Sequence, residues 1–154
     1  MRHVRSYSEV AAFTEGGFKE VIDDESAKPK SISKVVFCSG KIYYDLVEKR
    51  DAEKMTEIAI VRLEQLYPFP LKQLQEIIAK YNKVTEWLWV QEEPENMGAW
   101  SFMLRCFPQV SLKFIGRHES ASPATGYSKI HAEQQKTIVE KVFEKIKEAV
   151  SNKT

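Results

Sequence analysis

Cysteine and histidine are scarce in this sequence of 154 residues, which contains two cysteines and three histidines. His3, His118 and His131 are far apart, and none has another histidine or a cysteine at ligand spacing, so no metal site is expected. Cys38 lies in a short apolar run and Cys106 in a predicted helix. Both are expected to be reduced, buried thiols of an intracellular protein.

The sequence also lacks an excess charge of either sign and any long apolar run. It has 23 basic and 22 acidic residues, a net charge of +1, and no polybasic or polyacidic block. Neither nucleic acid nor a membrane surface is therefore expected as a partner. No apolar run is long enough to span a bilayer, and the N-terminal stretch MRHVRSYSEV has no signal-peptide core. The content of 43% hydrophobic residues fits one globular domain.

Motifs of common nucleotide-binding and hydrolytic enzymes are missing as well. Neither a P-loop nor a G-x-G-x-x-G fingerprint is present, and Ser120 and Ser122 do not lie in a G-x-S-x-G elbow. Cys38 has no base near it in sequence, so we expect a structural thiol rather than a nucleophile. Glu92 and Glu93 leave a predicted strand as neighbours and point in different directions, which disfavours a catalytic pair. No residue is assigned a catalytic role.

The stretch VVFCSGKIYYDL, residues 35–46, is the clearest structural signal in the chain. Val35–Cys38 is uniformly apolar, as in a strand buried on both faces, and Ser39-Gly40 precedes apolar residues at helical spacing. Such a strand–turn–helix unit places backbone N–H groups and the positive end of a helix dipole at the carboxyl end of the strand. With Lys41 beside it, the turn is either a plain connection or an anion site.

Apolar strands and helical patterns alternate along the rest of the chain. Further strands are predicted at Phe18–Ile22 (an edge strand), Ile58–Leu63, Trp87–Val90 and Leu112–Ile115. Four helices are predicted, and the first covers about Lys41–Lys49. The second follows Pro68 and Pro70, and one of its faces carries Leu71, Leu74, Ile77, Ile78 and Tyr81. The third points Trp100, Met103, Leu104 and Phe107 inward, and the fourth has an apolar stripe of Ile138, Val139, Val142, Phe143, Ile146 and Val150. Residues 1–17 are polar and irregular and are interpreted as a linker, and residues 18–154 as a single α/β domain with a largely parallel sheet and helices on both faces.

Polar residues follow each of the predicted parallel strands. Ligands of such sheets bind at the carboxyl ends of the strands. The residues expected there are Ser39, Gly40, Lys41, Glu64, Gln65, Gln91, Glu92, Glu93, Asn96, Arg117, His118, Glu119 and Ser120.

Arg62 interrupts an otherwise apolar predicted strand. A buried guanidinium must be paired or bound to something, since burying it alone is costly. One interpretation is a salt bridge to Glu64 or Glu92; the other is an anion ligand that cooperates with Lys41 and the Ser39-Gly40 turn.

Four segments in order resemble one family: VVFCSGKIYYDL, IAIVRLEQLYPFP, WVQEEPENMGAW and GRHESASPATGYSKIH. They are similar to the C-terminal end of the thiamine-diphosphate-dependent decarboxylase (first) component of 2-oxoglutarate dehydrogenase complexes. More distantly, the chain is similar to the C-terminal domain of transketolases. That resemblance implies a three-layer α/β/α fold with a mostly parallel mixed sheet of about five strands, in which Phe18–Ile22 is the antiparallel edge.

The resemblance also implies a reaction for the longer parent enzyme. The parent decarboxylates 2-oxoglutarate on thiamine diphosphate and passes the succinyl group to the lipoyl arm of the second component, in the tricarboxylic acid cycle. Thiamine diphosphate and magnesium are held by a GDG…N segment on upstream domains, and this chain has no GDG. We therefore expect an inactive piece of a longer, homodimeric enzyme, whose partners are the upstream thiamine-binding domains and the lipoyl succinyltransferase. The bacterial cytoplasm is expected rather than the mitochondrial matrix.

Some members of the family bind AMP or acetyl-CoA at this domain, which implies a role for the turn and for Arg62. The expected nucleotide or anion ligands are Ser39, Gly40, Lys41, Arg62 and Glu64. Residues expected in loops or at the interface with the upstream domain are Glu92, Glu93, Asn96, Arg117 and Ser120. The alternative hypothesis is a free-standing nucleotide- or anion-binding α/β module.

Overall fold

The computed structural model describes residues 10–144, except for the side chains of residues 12 and 13. The strands are β1 (Val21–Ile22), β2 (Lys34–Cys38), β3 (Ile58–Leu63), β4 (Glu86–Pro94) and β5 (Leu112–Arg117). The α-helices are α1 (Ala11–Thr14), α2 (Ile42–Glu53), α3 (Leu71–Lys80), α4 (Trp100–Cys106) and α5 (Ser128–Phe143).

The five strands form one mixed sheet with the order β1-β3-β2-β4-β5. All neighbouring pairs are parallel except β1 and β3, which are antiparallel. β2 lies at the centre, and Val36 is flanked by Ile60 on one side and Leu88 on the other. Every residue of β2 is buried, as its continuous apolar run predicts.

Side-chain alternation along β2 divides the core into two layers. Val35 and Phe37 point into a cluster with residues of α3 and α4, whereas Val36 and Cys38 point into a cluster with residues of α2 and α5. The sheet is therefore covered by two helices on each face. The predicted three-layer α/β/α fold with an antiparallel edge strand is confirmed.

The edge strand is shorter than predicted. Only Val21 and Ile22 pair with β3, and the Phe18 side chain is 69% exposed. Pairing is extended slightly by the Glu20 carbonyl, which accepts a hydrogen bond from the Glu64 N–H at 2.9 Å. The alternation from Phe18 onward was misleading because no partner strand lies beside its first residues.

Three helix expectations also need correction. α1 lies within the stretch predicted to be irregular, and α2 continues beyond the predicted end at Lys49 to Glu53. Leu104, predicted to point inward, is 50% exposed, because the short helix α4 turns only a narrow face toward the core. Ile146 and Val150, like residues 1–9, lie outside the described residues.

A buried lysine ties the N-terminal end of the central strand to the end of α5. The Lys34 ammonium donates to the Val142 carbonyl at 2.8 Å and the Glu144 carbonyl at 3.2 Å. It also lies 3.1 Å from Glu86 Oε2, while Lys113 donates to Glu86 Oε1 at 2.9 Å. A cation at the C-terminal carbonyls of a helix satisfies acceptors that have no partner within the helix and complements its dipole.

A second buried charge anchors the segment that follows β1. Asp24 accepts hydrogen bonds from the Ile60 N–H at 3.0 Å and the Ser26 hydroxyl at 2.6 Å, and it forms an ion pair with Arg50. This carboxylate therefore joins the post-β1 segment to β3 and α2.

Candidate functional site

The order in which strands are added to the sheet reverses at the central strand. β2 is followed by α2 and by β3 on one side, whereas β4 pairs with β2 on the other side. The connections leaving the carboxyl ends of β2 and β4 therefore diverge and leave a crevice, the usual ligand position of such sheets. A cavity of about 430 Å³ lies there, and we call it the switch-point cavity; its lining includes Ser39, Gly40, Gln91, Glu92 and Glu93.

The turn between β2 and α2 has the conformation that its glycine allows. Gly40 has a φ of 75°, and a β-carbon there would meet no atom within 4 Å, so the turn is open above it. Lys41 precedes the first residue of α2 and pairs with Glu92 at 3.2 Å and with Asp45 at 3.8 Å. The expected cation is therefore present at this turn, and it is already neutralised by two carboxylates.

Gln91 supports the floor of the switch-point cavity. Its side chain is only 3% exposed; its amide oxygen accepts from Trp89 Nε1 at 2.8 Å and from the Trp100 N–H at 3.1 Å. Its amide nitrogen donates to the Met97 carbonyl at 2.7 Å. Gly98, with a φ of 65°, gives this amide room, since a β-carbon would lie 2.8 Å from Gln91 Nε2.

Arg62 on β3 is paired with Glu64, the residue that follows this strand, and contacts two tyrosines of α2. Its Nε lies 3.6 Å from Glu64 Oε1, its guanidinium stacks 4.4 Å from the centre of the Tyr43 ring, and Nη1 lies 3.5 Å from the Tyr44 hydroxyl. Of the two partners considered for a salt bridge, Glu64 is the one that Arg62 contacts, whereas Glu92 pairs with Lys41. Nε is nevertheless buried without a hydrogen bond to any described residue. Arg62 and Lys41 each contact a different glutamate, and neither lines the switch-point cavity.

The environment of Cys38 excludes it as a nucleophile. It is fully buried, and burial raises the pKa of its thiol to about 12, although the nearby Arg62 guanidinium acts to lower it. Burial likewise raises the pKa of the Tyr43 hydroxyl against the lowering effect of Arg62. Cys106, expected to be buried, is only partly so.

Several other predicted site residues belong to the β4 and β5 side of the sheet, whereas Gln65 lies after β3. Asn96 and Ser120 are joined by two hydrogen bonds, from Asn96 Nδ2 to the Ser120 carbonyl at 3.0 Å and from the Ser120 N–H to Asn96 Oδ1 at 3.1 Å. Glu92 and Glu93 lie within β4 rather than in a loop, and Arg117 is the last residue of β5.

Sequence reasoning missed the surroundings of Arg117. This residue is only 8% exposed, and its Nη2 lies 2.9 Å from His131 Nδ1 on α5. It lines a second cavity of about 290 Å³, together with Thr125 and Gln134. The sequence predicts Arg117 beyond the carboxyl end of the strand Leu112–Ile115, whereas β5 continues to Arg117, and nothing in the sequence indicates which side chains enclose it.

Neither a metal-binding cluster nor a membrane-spanning helix occurs among residues 10–144. No group of three or more His, Cys, Asp or Glu side chains there is arranged to hold a metal ion. Within the same residues, no helix is both long and apolar enough to cross a lipid bilayer.

The fold and its polar carboxyl edge define a doubly wound α/β domain with a switch-point crevice. A sequence model described as "2-oxoglutarate dehydrogenase C-terminal" matches residues 7–143. This match covers most of the chain. The chain therefore belongs to the 2-oxoglutarate dehydrogenase C-terminal family.

Curated relatives agree with this membership. The chain is 43% identical over 146 residues to the 2-oxoglutarate dehydrogenase E1 component of Haemophilus influenzae, covering 91% of this chain and 16% of that protein. It is 41% identical over 152 residues to the protein of that name from Azotobacter vinelandii, covering 93% and 16%. It is also 45% identical over 131 residues to the 2-oxoadipate dehydrogenase complex component E1 of Xenopus laevis, covering 82% and 14%. The chain thus spans only 14% to 16% of the length of these relatives.

Proposed function

We propose that this chain is the C-terminal structural and regulatory domain of a bacterial 2-oxoglutarate dehydrogenase first component. The observation that carries the proposal is the family match over residues 7–143, together with relatives that share 41% to 43% identity and are named as that component. The parent protein would decarboxylate 2-oxoglutarate and transfer the succinyl group to the lipoyl arm of the second component. The proposed location is the bacterial cytoplasm, since the two relatives named for 2-oxoglutarate are bacterial.

Thiamine diphosphate, which stabilises the carbanion formed on decarboxylation, is assigned to other domains of the parent. The residues present here do not fit it. The sequence has no GDG segment, and no candidate metal cluster occurs among residues 10–144. The domain's own contribution is proposed to be packing on the upstream thiamine-binding domains and support of a homodimer. Phe18, Tyr67 and Tyr127 are 69%, 84% and 75% exposed, and we propose them as points of such contact.

The test of the parent function is an assay of the full-length polypeptide that contains this chain. With thiamine diphosphate, magnesium and the lipoyl succinyltransferase, we expect turnover of 2-oxoglutarate that is lost when residues 18–154 are deleted. 2-Oxoadipate is the second substrate to assay, because a relative at 45% identity is named for it. A reading frame that opens at Met1, with no thiamine-binding region before it, would favour the free-standing module instead.

For the regulatory role, we propose that AMP or acetyl-CoA binds at the Ser39–Lys41 turn and Arg62, near Glu64. The support is the open turn above Gly40, with the Lys41 ammonium beside it at the start of α2. A phosphate would have to displace the carboxylates that now neutralise both cations. Binding therefore exchanges an internal counter-charge for that of the ligand.

This exchange gives a sharp test by thermal unfolding. A ligand that binds only the folded state raises its melting temperature by mass action. Millimolar AMP or acetyl-CoA should raise the melting temperature of the wild type, and less for Lys41→Ala or Arg62→Ala. Glu92→Gln should bind more tightly than wild type, because it removes the competitor of the phosphate at Lys41. No shift with either nucleotide, or equal shifts in all four proteins, would contradict the site while leaving the parent function intact.

A further inference from the structure

The first half of α5 carries no buried apolar side chain. The buried residues of this helix all lie in its second half and are Ile138, Val139, Val142 and Phe143. At its start, the side chains of Tyr127 and Ile130 are exposed to solvent. Segments with few buried apolar contacts open more readily than the rest of a fold. The attachment of this half of the helix therefore depends on its polar contacts.

Two side-chain hydrogen bonds attach the first half of α5 to other elements among residues 10–144. Gln135 Nε2 donates to Asp45 Oδ2 on α2 at 2.8 Å, and Arg117 Nη2 at the end of β5 donates to His131 Nδ1 at 2.9 Å. A guanidinium has donors only, so Nδ1 is the acceptor and the imidazole is the neutral tautomer with its proton on Nε2. The contact with β5 therefore exists only while His131 is uncharged.

Protonation of His131 would place two cations against each other in a largely buried position. Arg117 is only 8% exposed, and within residues 10–144 no carboxylate forms an ion pair with it or with His131. The guanidinium cannot relieve the repulsion by losing its own proton. A proton on Nδ1 thus removes the acceptor and adds a like charge, both of which break the contact.

The charged groups around this contact come from α2, α5, β4 and the loop after β5. His131 lines a groove between α2 and α5 with Lys41, Asp45, Glu48, Lys49, Lys136 and Glu140. Arg117 lines the cavity at the end of β5 with His118, Glu119 and Lys141. On β4, Glu92 pairs with Lys41 at 3.2 Å. Lysines and carboxylates are equal in number in the two linings, so no net negative charge there offsets a proton on His131.

We propose that the Arg117–His131 contact is a proton-sensitive latch, which holds the first half of α5 to β5 at neutral pH and releases it in mild acid. Histidine is the side chain whose charge ordinarily changes between about pH 5 and 8. The released state binds the proton and the latched state does not, so a fall in pH favours release. The second half of the helix stays in place, because its apolar side chains belong to the core. This latch depends neither on the parent reaction nor on nucleotide binding at the Ser39–Lys41 turn.

Native-state hydrogen exchange of single amides, followed by NMR, tests the latch. The His131 N–H donates to the Tyr127 carbonyl at 3.0 Å and reports opening of the first half of α5. Residues 139–143 are the internal reference, which cancels the intrinsic effect of pH on exchange. A histidine released into solvent titrates near pH 6.5. A change from about pH 7.5 to about pH 5.5 should therefore raise the opening constant of residues 131–136 roughly tenfold relative to the reference. A change below about twofold would overturn the proposal.

His131→Asn is the variant that isolates the proton. Asn Oδ1 is bonded to Cγ as Nδ1 is, accepts from a guanidinium and takes up no proton in this range of pH. Histidine and asparagine also have similar helix propensities. The pH dependence of residues 131–136 should disappear in this variant. The matched control is His118→Asn, at an exposed histidine just after β5, which should keep the wild-type dependence. A dependence that persisted in His131→Asn, or that vanished in His118→Asn, would overturn the proposal.

A second measurement needs no variant and holds whether or not His131→Asn folds. The ring-nitrogen shifts of His131 in long-range proton–nitrogen NMR spectra distinguish the two neutral tautomers. At neutral pH we expect the proton on Nε2, because Nδ1 accepts from Arg117. A ring that carries its proton on Nδ1 at neutral pH would overturn the latch.

Discussion

Replacing Lys34 with methionine should destabilise the domain far more than the same change at Lys113. Both lysines pair with the Glu86 carboxylate, at 3.1 Å and 2.9 Å. The Lys34 side chain is 9% exposed and that of Lys113 is 63% exposed. Each substitution therefore removes one positively charged partner of the same carboxylate, and the two lysines differ in burial. This makes Lys113→Met the matched control.

The magnitude follows from what each ammonium group contacts. Lys34→Met leaves the Val142 and Glu144 carbonyls without their charged donor and removes one partner of a buried ion pair. Losing a hydrogen bond to a charged group costs about 1.5–3 kcal/mol, and breaking a buried pair costs about 3–5 kcal/mol. Because Lys113 remains at Glu86, we expect a loss near 3 kcal/mol for Lys34→Met. Because the Lys113–Glu86 pair is exposed on the lysine side, we expect Lys113→Met to lower the free energy of unfolding by less than about 1 kcal/mol.

Acid should reduce this difference. Burial acts to raise the pKa of the Glu86 carboxyl, but hydrogen bonds from Lys113 and Lys34 outweigh it, and the pKa lies below its ordinary value of 4.5. A lowered pKa in the folded state stabilises the fold above the unfolded value, and this contribution is lost as the pH falls through the folded value. The destabilisation by Lys34→Met should therefore be full at neutral pH and shrink in acid below about pH 4.5.

Urea unfolding followed by tryptophan fluorescence at several pH values measures these quantities, and the sequence supplies three tryptophans. A loss of about 3 kcal/mol corresponds to a fall of roughly 6–12 °C in melting temperature for a domain of this size. Equal losses for the two lysines would refute the reasoning from burial. A difference that stayed constant into acid would refute the role of the ionised Glu86.

Two further predictions concern glycine and cysteine. Gly98→Ala should lower the stability measured by thermal unfolding clearly more than Gly40→Ala. Both glycines have a positive φ, which costs an L-residue about 1–2 kcal/mol, but only at Gly98 would a β-carbon also meet the buried side-chain amide of Gln91. Equal losses for the two variants would contradict the packing argument. Cys106 should be alkylated by iodoacetamide at neutral pH much faster than Cys38, because burial raises the pKa of the Cys38 thiol to about 12 and shields it; mass spectrometry of digested protein checks this, and comparable labelling of both would count against it.

The central strand could be predicted from sequence because a continuous apolar run indicates a strand buried on two faces. The pairing of Arg62 could be predicted only as a choice between Glu64, Glu92 and an anion, because the sequence does not show which carboxylate lies within reach. The edge strand was predicted too long because alternation at Phe18 cannot tell whether a partner strand is beside it.

The polar residues after the apolar core of β4 were misread for a different reason. Gln91 looked like the start of a loop, but its amide is satisfied by Trp89, Met97 and Trp100, so it remains in the strand and buried. The surroundings of Arg117 escaped prediction because they depend on where α5 places His131. Long-range enclosure of a charged side chain has no signature in local periodicity.

The parallel pairing of the central strand sets the order in which the chain can assemble. Lys34 pairs with Ile58, 24 residues later, and with Glu86, 52 residues later, while its contact with Val142 spans 108 residues. Closing long loops costs entropy before the contacts form, so topologies with distant pairings fold slowly. The β2–β3 pair, such as Lys34 with Ile58, and the β4–β5 pair, such as Trp87 with Leu112, are the most local parallel pairs and are expected to form before the β2–β4 pairing that joins them. The Lys34 ammonium can bind the carbonyl groups at the end of α5 only when nearly the whole domain is in place. This contact is therefore expected to slow unfolding more than it speeds folding.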